Sequence, residues 1–482
     1  MDTRIEYDKT NPSSIEAYAQ KLIGKTFRNV WEEDEAQQRS DILAEESEEY
    51  VSSDDVENKK NKGNLGQIIE ENFFHYACNS DSRPDFYEAG VELKVTPYKI
   101  NKNGSISAKE RLILTMIDYF AVVNENFETS HFWTKSKLIL LIYYLYQQEI
   151  KYKLDYKIKY SRLFTPPEQD IAIIRHDYDI IVNKIKAGKA HELSEGDTLY
   201  LGAATKASSS KDRREQPYSS ELAKPRAFAF KSSYMTYVLN TYIVPGKQTY
   251  EPIVANGFVD SFEDYVVGKI NKYRGCTVDY LCKEFQIDVS KKPKNLEAML
   301  AYRILGIKGN HAEEFEKANV VVKTIRIGKN GKIKESMSFP NFKFKELIQE
   351  DWENSTFGNY LRETRFLFVV YKADAENILH LMGCQFWNIP YEDLEVEVRN
   401  VWERTKKVIA DGLEIEVDSR GNNHTNLPKQ KESRVSHVRP HGRNAKDMYE
   451  LPDGRLFPKQ CFWLNNTYIY SQIKDELKVD QF

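Results

Sequence analysis

Four stretches of this chain occur twice, in the same order. "NLGQIIEENFF…PDFYEAGVELKVT", beginning at Asn64, is matched by "NLEAMLAYRIL…EEFEKANVVVKTI", beginning at Asn295. Around that core, "SIEAYAQKLIGKTF" (Ser14 to Phe27) parallels "SFEDYVVGKINKY" (Ser261 to Tyr273), and "NFETSHFWTKSKLILLIYY" parallels "NYLRETRFLFVVYK". "RAFAFKSSYMTYVL" (Arg226 to Leu239) parallels "KQCFWLNNTYIYSQI" (Lys459 to Ile473). Chance produces any one such pair easily, but not four in register. The repeat predicts two like domains in tandem, 1–243 and 258–482, joined through the Pro/Gly-containing stretch 244–257. With 482 residues, each half is long enough to bury its own core.

The first copy carries the chemistry. In Val91-Glu92-Leu93-Lys94-Val95, apolar and charged residues alternate, as in a β-strand with one face in the core. Side chains at i and i+2 share a face, so Glu92 and Lys94 stand together. Asp85 lies before a turn-prone Ala89-Gly90 and can converge on Glu92. Two adjacent carboxylates repel each other, and a hard divalent cation such as Mg²⁺ relieves that repulsion. Lys94 is then placed to orient or deprotonate a water, or to stabilise charge on a phosphate. Upstream, "GNLGQIIEENFF" has helical spacing. Gly66 and Glu70 share a face there, which offers Glu70 as a third carboxylate. The ordinary reading of Glu-x-Lys on an amphipathic strand is a solvent-facing ion pair; the helix and the repeat favour the catalytic one.

In the second copy Lys323 stands where Lys94 does, but Val321 replaces Glu92 and Ala301 replaces Glu70, with Glu314 near the Asp85 position. Valine has no oxygen to offer a metal. The second copy is therefore expected to bind or regulate without cutting.

Net charge is −4, which on its own argues weakly against a nucleic-acid partner. Residues 31–57, however, hold twelve Asp/Glu and one Arg, a balance of −11, leaving +7 on the rest. That remainder permits a basic face. The acidic block reads as a solvated helix and loop, or, more sharply, as a segment competing with DNA for a basic cleft. Five scattered cysteines without CxxC spacing suit a reducing cytoplasm, and "MDTRIEYDKTNPSS" has no apolar signal core. The longest apolar run, "LILLIYYLY" (Leu138 to Tyr146), is too short to span a bilayer and reads as a buried strand or core helix.

Taken together, "GxxxE … PD-x6-ELK" followed by "FETSHFWTKSK" resembles the mismatch-repair nicking endonuclease MutH. The duplicated arrangement resembles the Sau-type, GATC-cutting type II restriction endonucleases. "EAGVELKVTP", "NENFETSHF", "GKAHELSEG", "KPRAFAFKSSYMT" and "SHVRPH" carry the likeness across nearly the whole chain. It implies a mixed α/β fold with two tandem restriction-endonuclease-like domains forming a pseudo-dimer. It also implies Mg²⁺, cleavage before GATC in double-stranded DNA, and a second domain that binds a further site as effector. Asp85 and Glu92, with Glu70 nearby, would hold the metal, and Lys94 would be the catalytic lysine. Lys135 matches a basic position near the active site, with Lys137 as the alternative. The same likeness implies a cytoplasmic enzyme, a cognate DNA methyltransferase in the cell, no obligatory protein partner, and transient dimerisation on DNA. One departure stands out: where MutH has an arginine and a proline in its DNA-reading loop, this chain has Ala204 and Thr205, although Lys206 still matches.

Phosphate anchors are expected among Lys99, Lys102 and Lys109, among Lys206, Lys211, Arg213 and Arg214, and at Lys224, Arg226 and Lys231. In the second copy, His437, Arg439, His441, Arg443 and Lys446 make a basic run in the place of the Lys206 loop. The intervening Val-Arg-Pro argues against a helical metal pair at His437 and His441. Two rival functions stay open: a DNA-binding protein without catalysis, and a MutH-like nickase.

Overall fold

The computed structural model describes residues 6–44, 64–76, 83–207, 209, 211–244, 250–254, 261–288, 290, 293, 295–419, 423–444 and 446–479. Cys78, part of 244–257 and residues 45–57 of the acidic block lie outside them. The chain divides into two compact units. The first comprises Met1–His191, Leu199–Ser208 and Asp212–Thr249; the second comprises Glu192–Thr198, Ser209–Lys211 and Tyr250–Phe482.

The strands of the first unit are β1 (Glu92–Ile100), β2 (Ile106–Ala108), β3 (Leu112–Met116), β4 (Ile139–Leu145), β5 (Lys157–Phe164), β6 (Leu201–Thr205), β7 (Arg214–Gln216), β8 (Ser219–Ala223) and β9 (Arg226–Phe230). Its main sheet runs β2-β1-β4-β5, with β1 and β4 parallel and the outer pairs antiparallel. The apolar run from Leu138 resolves as β4, hydrogen-bonded on both edges, with Ile139 to Tyr143 wholly buried. A near-continuous apolar run suits a strand covered on both faces. The parallel β1/β4 pair needs a crossover. Residues 101–138 supply it, and they contribute β3 to a small antiparallel sheet, β3-β9-β6.

The second unit has β10 (Val320–Ile327), β11 (Met337–Phe342), β12 (Arg365–Ala373), β13 (Leu379–Trp387), β14 (Ile415–Val417), β15 (Asn423–Thr425), β16 (Ser436–Pro440), β17 (Met448–Glu450), β18 (Leu456–Pro458) and β19 (Gln460–Leu464). The topology repeats: β10 and β12 are parallel and β13 is antiparallel to β12, while β19 is flanked by β11 and β16 as β9 is by β3 and β6. Both units are mixed α/β.

Buried polar contacts recur too. Tyr234 donates to Asp170 at 3.1 Å, and Tyr468 donates to Asp393 at 2.8 Å. Ser130 caps the helix His131–Ser136 and Ser355 caps Thr356–Glu363; each hydroxyl also donates to the carbonyl three residues back, Phe127 or Trp352. Asn126 and Asp351 cap the 3₁₀ turns just before them. These caps correct one alignment read from sequence: "NFETS" is matched by "DWENS" (Asp351 to Ser355), not by "NYLRE". Apolar similarity had pulled the pairing eight residues along, because periodicity registers strands better than caps.

The helix Glu168–Lys186 buries Ile174, Asp177, Tyr178, Ile181, Val182 and Ile185 on one face. Asp177 accepts the main-chain N–H groups of Leu199, Tyr200 and Leu201 at 2.8, 2.7 and 2.9 Å, fixing the start of β6. Burial pushes its carboxyl up to about 6, against those N–H groups and the charge of Lys231. Asp177→Ala leaves three buried donors unmet. It is expected to destabilise the fold by about 3 kcal/mol or more in urea unfolding. Tyr143→Phe, which removes a buried hydroxyl without a partner, is expected to be neutral or stabilising.

Candidate active site and DNA-facing surfaces

The turn after Asp85 closes tightly. Phe86 and Val91 exchange main-chain hydrogen bonds of 2.9 and 3.2 Å, with Gly90 at φ +67°, where a side chain would be strained. Asp85 Oδ2 thereby accepts the Leu93 N–H at 2.8 Å, pinning the carboxylate against the start of β1.

Glu92 does not face solvent. It is 2% exposed, with its main-chain N–H on the Leu138 carbonyl. Its Oε1 lies 2.6 Å from Lys94 Nζ and 3.5 Å from Lys135 Nζ. Its Oε2 is buried and has no hydrogen-bond partner among the described residues. Burial raises its pKa above the ordinary value; Lys94 opposes the shift, the charge of Asp85 adds to it, and Lys135 opposes it more weakly. A buried carboxylate with one idle oxygen, beside a second carboxylate, is a donor set short of a cation. Two carboxylate ligands completed by water and phosphate oxygens suit Mg²⁺.

Lys135 sits on the Ser130-capped helix, half-buried and pointed at Glu92, whereas Lys137 is exposed. The geometry therefore selects Lys135. Glu70 stands on the π-turn Ile69–Phe73. Its Oε1 approaches the backbone at Gly66, 3.7 Å from where a Cβ would be. Among the described residues no group of three or more His, Cys, Asp or Glu is gathered as a metal set.

Lys99, Lys102, Lys109, Lys206, Lys211, Arg213 and Arg214 are exposed, and Lys224 is half-buried. The expectation fails for Arg226 and Lys231, which are 6% and 3% exposed. Arg226 donates to the Ala203 carbonyl at 2.8 Å, and the charge of Lys231 offsets buried Asp177. Both are interior counter-groups of the small sheet, out of reach of a phosphate. Part of the acidic block is also structural: Asp34 is buried and accepts from Asn72 and Gln38.

In the second unit the equivalent of Lys94 has no carboxylate partner among the described residues. Lys323 Nζ lies 5.9 Å from the Phe339 ring centroid, and burial lowers its pKa. The Ser355-capped helix is two residues longer than the Ser130-capped one, and Arg362 near its end turns to Glu395 at 3.0 Å. Glu314 accepts from the main chain of Ile253 and Val254. Of the basic run, Arg439, His441, Arg443 and Lys446 are exposed. His437 is buried against Asn465 and its pKa is lowered by burial, so it is no phosphate anchor. The sequence reading missed the serine caps; a serine four residues after Asn126 and again after Asp351 was their visible signal.

A mixed α/β unit with an acidic pair and lysines beside a parallel strand pair, repeated with valine in place of the buried glutamate, has the look of a MutH-like nuclease. Residues 74–177 match the model for the DNA mismatch repair enzyme MutH. The chain is 39% identical over 463 residues to the type II restriction enzyme Sau3AI of Staphylococcus aureus, covering 87% of this chain and 94% of that one. It is 28% identical over 185 residues to the DNA mismatch repair protein MutH of Shewanella woodyi, covering 38% of this chain and 78% of the relative. A similar MutH from Vibrio parahaemolyticus is 27% identical over 189 residues, 38% of this chain and 79% of that one. The chain belongs to the Sau3AI-like family of MutH-related type II restriction endonucleases, site-specific deoxyribonucleases. No described helix is long and apolar enough to cross a membrane.

The raised pKa of Glu92 fixes a sign. A carboxyl that holds its proton more tightly folded than unfolded loses stability as pH rises through that window. Glu92→Gln is therefore expected to leave the metal-free protein at neutral pH as stable as the parent or more so. Lys94→Met, which strips the nearer counter-charge, is expected to lower the melting temperature. Opposite shifts in a thermal melt would contradict this account of the pair.

Proposed function

We propose that the first unit hydrolyses phosphodiesters of double-stranded DNA before GATC, with Mg²⁺ held by Asp85 and Glu92. We also propose that the second unit takes up a further copy of the site and stimulates cleavage. The observation that carries the chemistry is the idle, buried Oε2 of Glu92 beside Asp85. When bound, the cation supplies charge neutralisation on the phosphate and activation of water. Asp85 and Glu92 would be its ligands, with Glu70 as the third carboxylate. Lys94 donates toward the attacked phosphate or the water as negative charge builds. Lys135 shares Glu92 Oε1 and keeps that carboxylate ionised and aimed. Exposed Lys206 in the first unit, with Lys211, Arg443 and Lys446 in the second, supply phosphate contacts.

The second unit offers Lys323 without a carboxylate partner at Val321, a place for a phosphodiester but none for a divalent cation. One centre cuts one strand at a time, so breaking both strands requires a transient dimer on DNA or two passages. The protein acts in the cytoplasm beside a methyltransferase that protects host DNA. The fused second unit speaks against a pure nickase; linear rather than nicked plasmid as the end product decides it.

Asp85→Ala is expected to reduce plasmid cleavage in Mg²⁺ by at least about a hundredfold, the scale of removing one charge-stabilising group, while binding of the site persists. Wild-type cleavage is expected to stop in EDTA. Protons and cation compete for Glu92, so the acid limb of the pH–rate profile is expected to move to lower pH as Mg²⁺ is raised. A limb indifferent to Mg²⁺ would remove Glu92 from the metal.

A further inference from the structure

The caps align the two units residue by residue around the helix that carries Lys135. Ser130 starts the helix His131–Ser136 and Ser355 starts Thr356–Glu363; each follows a short turn capped four residues earlier, by Asn126 or Asp351. Counted from these caps, Glu125 matches Glu350, His131 matches Thr356 and Lys135 matches Tyr360. The glutamate serves the helix start alike in both units. Glu350 accepts the Thr356 main-chain N–H at 3.1 Å, and the Thr356 hydroxyl donates to its other oxygen. Glu125 accepts the His131 main-chain N–H at 3.3 Å, and the His131 Nδ1 donates to its other oxygen.

A hydroxyl is therefore enough to close this corner of the fold, and what the imidazole adds is a second nitrogen. The His131 side chain is 61% exposed, and among the described residues its Nε2 has no partner. His131 and Lys135 are four apart on one helix, so they share a face with a rise of about 6 Å between them. Lys135 reaches Glu92 Oε1 at 3.5 Å, so the imidazole stands one turn away from the acidic pair, on the same side. That separation is close to the step between successive phosphates along one DNA strand. A carboxylate behind an imidazole fixes the orientation of the ring, as it does behind metal-bound histidines. Between a carboxylate on Nδ1 and a phosphate at Nε2, the doubly protonated ring donates to both. The second unit, which has Val321 for Glu92, has Tyr360 for Lys135 and Thr356 for His131; Tyr360 packs on Phe339 with ring centroids 5.7 Å apart. The imidazole is thus present where the acidic pair is present and absent where it is broken.

We propose that His131 is a further substrate-binding residue of the cutting centre, donating from Nε2 to the phosphate next to the one attacked. Glu125 is its positioning residue. This rests on the reading of Asp85, Glu92 and Lys94 as the cutting centre.

The test is single-turnover cleavage in Mg²⁺, by the full chain, of a short GATC duplex. The cut strand carries an uncharged methylphosphonate at one or the other phosphate beside the scissile one. Wild type is expected to cut one of these two duplexes about tenfold more slowly than the unmodified duplex, the scale of a hydrogen bond to a charged group. His131→Thr adopts the arrangement of the second unit and is expected to melt at the wild-type temperature. It is expected to cut the unmodified duplex about tenfold more slowly than wild type, with no further loss at that methylphosphonate. Glu125→Gln is expected to shrink the same penalty, and adding it to His131→Thr to slow cleavage no further. Should His131→Thr fail to fold, His131→Gln carries the same comparison. A methylphosphonate penalty that persists without the imidazole, wild-type rates in the variant, or equal cutting of all three duplexes by wild type overturns the inference alone. No cleavage of the unmodified duplex by wild type overturns the reading of the cutting centre and this inference with it.

Discussion

A carboxylate sealed inside a protein with one oxygen idle is a standing cost, and the first unit is arranged around one. Glu92 is buried where β1 enters the sheet, and two ammonium groups converge on a single oxygen of it. The turn at Gly90 and the Asp85 bond to Leu93 fix the second carboxylate relative to it. Ser130 fixes the helix that brings Lys135. None of these is needed for a stable sheet; a leucine at 92 would pack better and need no counter-charge. The arrangement fixes its charges in place beforehand, so that little reorganisation remains for a reaction there.

The second unit shows what the same framework does when relieved of that cost. With Val321 in the strand, no carboxylate among the described residues pairs with Lys323, and Arg362 on the Ser355-capped helix lies on Trp352 and pairs with Glu395. The caps, the parallel strand pair and the buried Tyr–Asp contact all persist. What is kept is the frame of strands and caps, and what is lost includes the buried carboxylate at the place of Val321.

Much of this was legible in the sequence because it depends on local spacing. The period-two pattern placed Glu92 and Lys94 on one face, and the repeat exposed the loss at Val321. Burial was harder to see. A Glu-x-Lys strand looks solvent-facing until a parallel partner and a lysine-bearing helix, forty residues on, cover it. Arg226 and Lys231 misled for the opposite reason. Their charge suggested a phosphate, but buried Asp177 and the carbonyl of Ala203, both distant in sequence, claim them. The caps at Ser130 and Ser355 are written in single residues and carry no periodicity, so apolar similarity overrode them.

The two units also divide risk. A nuclease that both reads and cuts through one surface must balance tight, discriminating contacts against turnover, since uniform binding of substrate and transition state does not accelerate chemistry. The unit that carries the buried anion also carries its two counter-charges, Lys94 and Lys135, while the other keeps the parallel strand pair and the serine cap with Val321 in that place. Duplication thus confines the carboxylate cost to one copy of the frame.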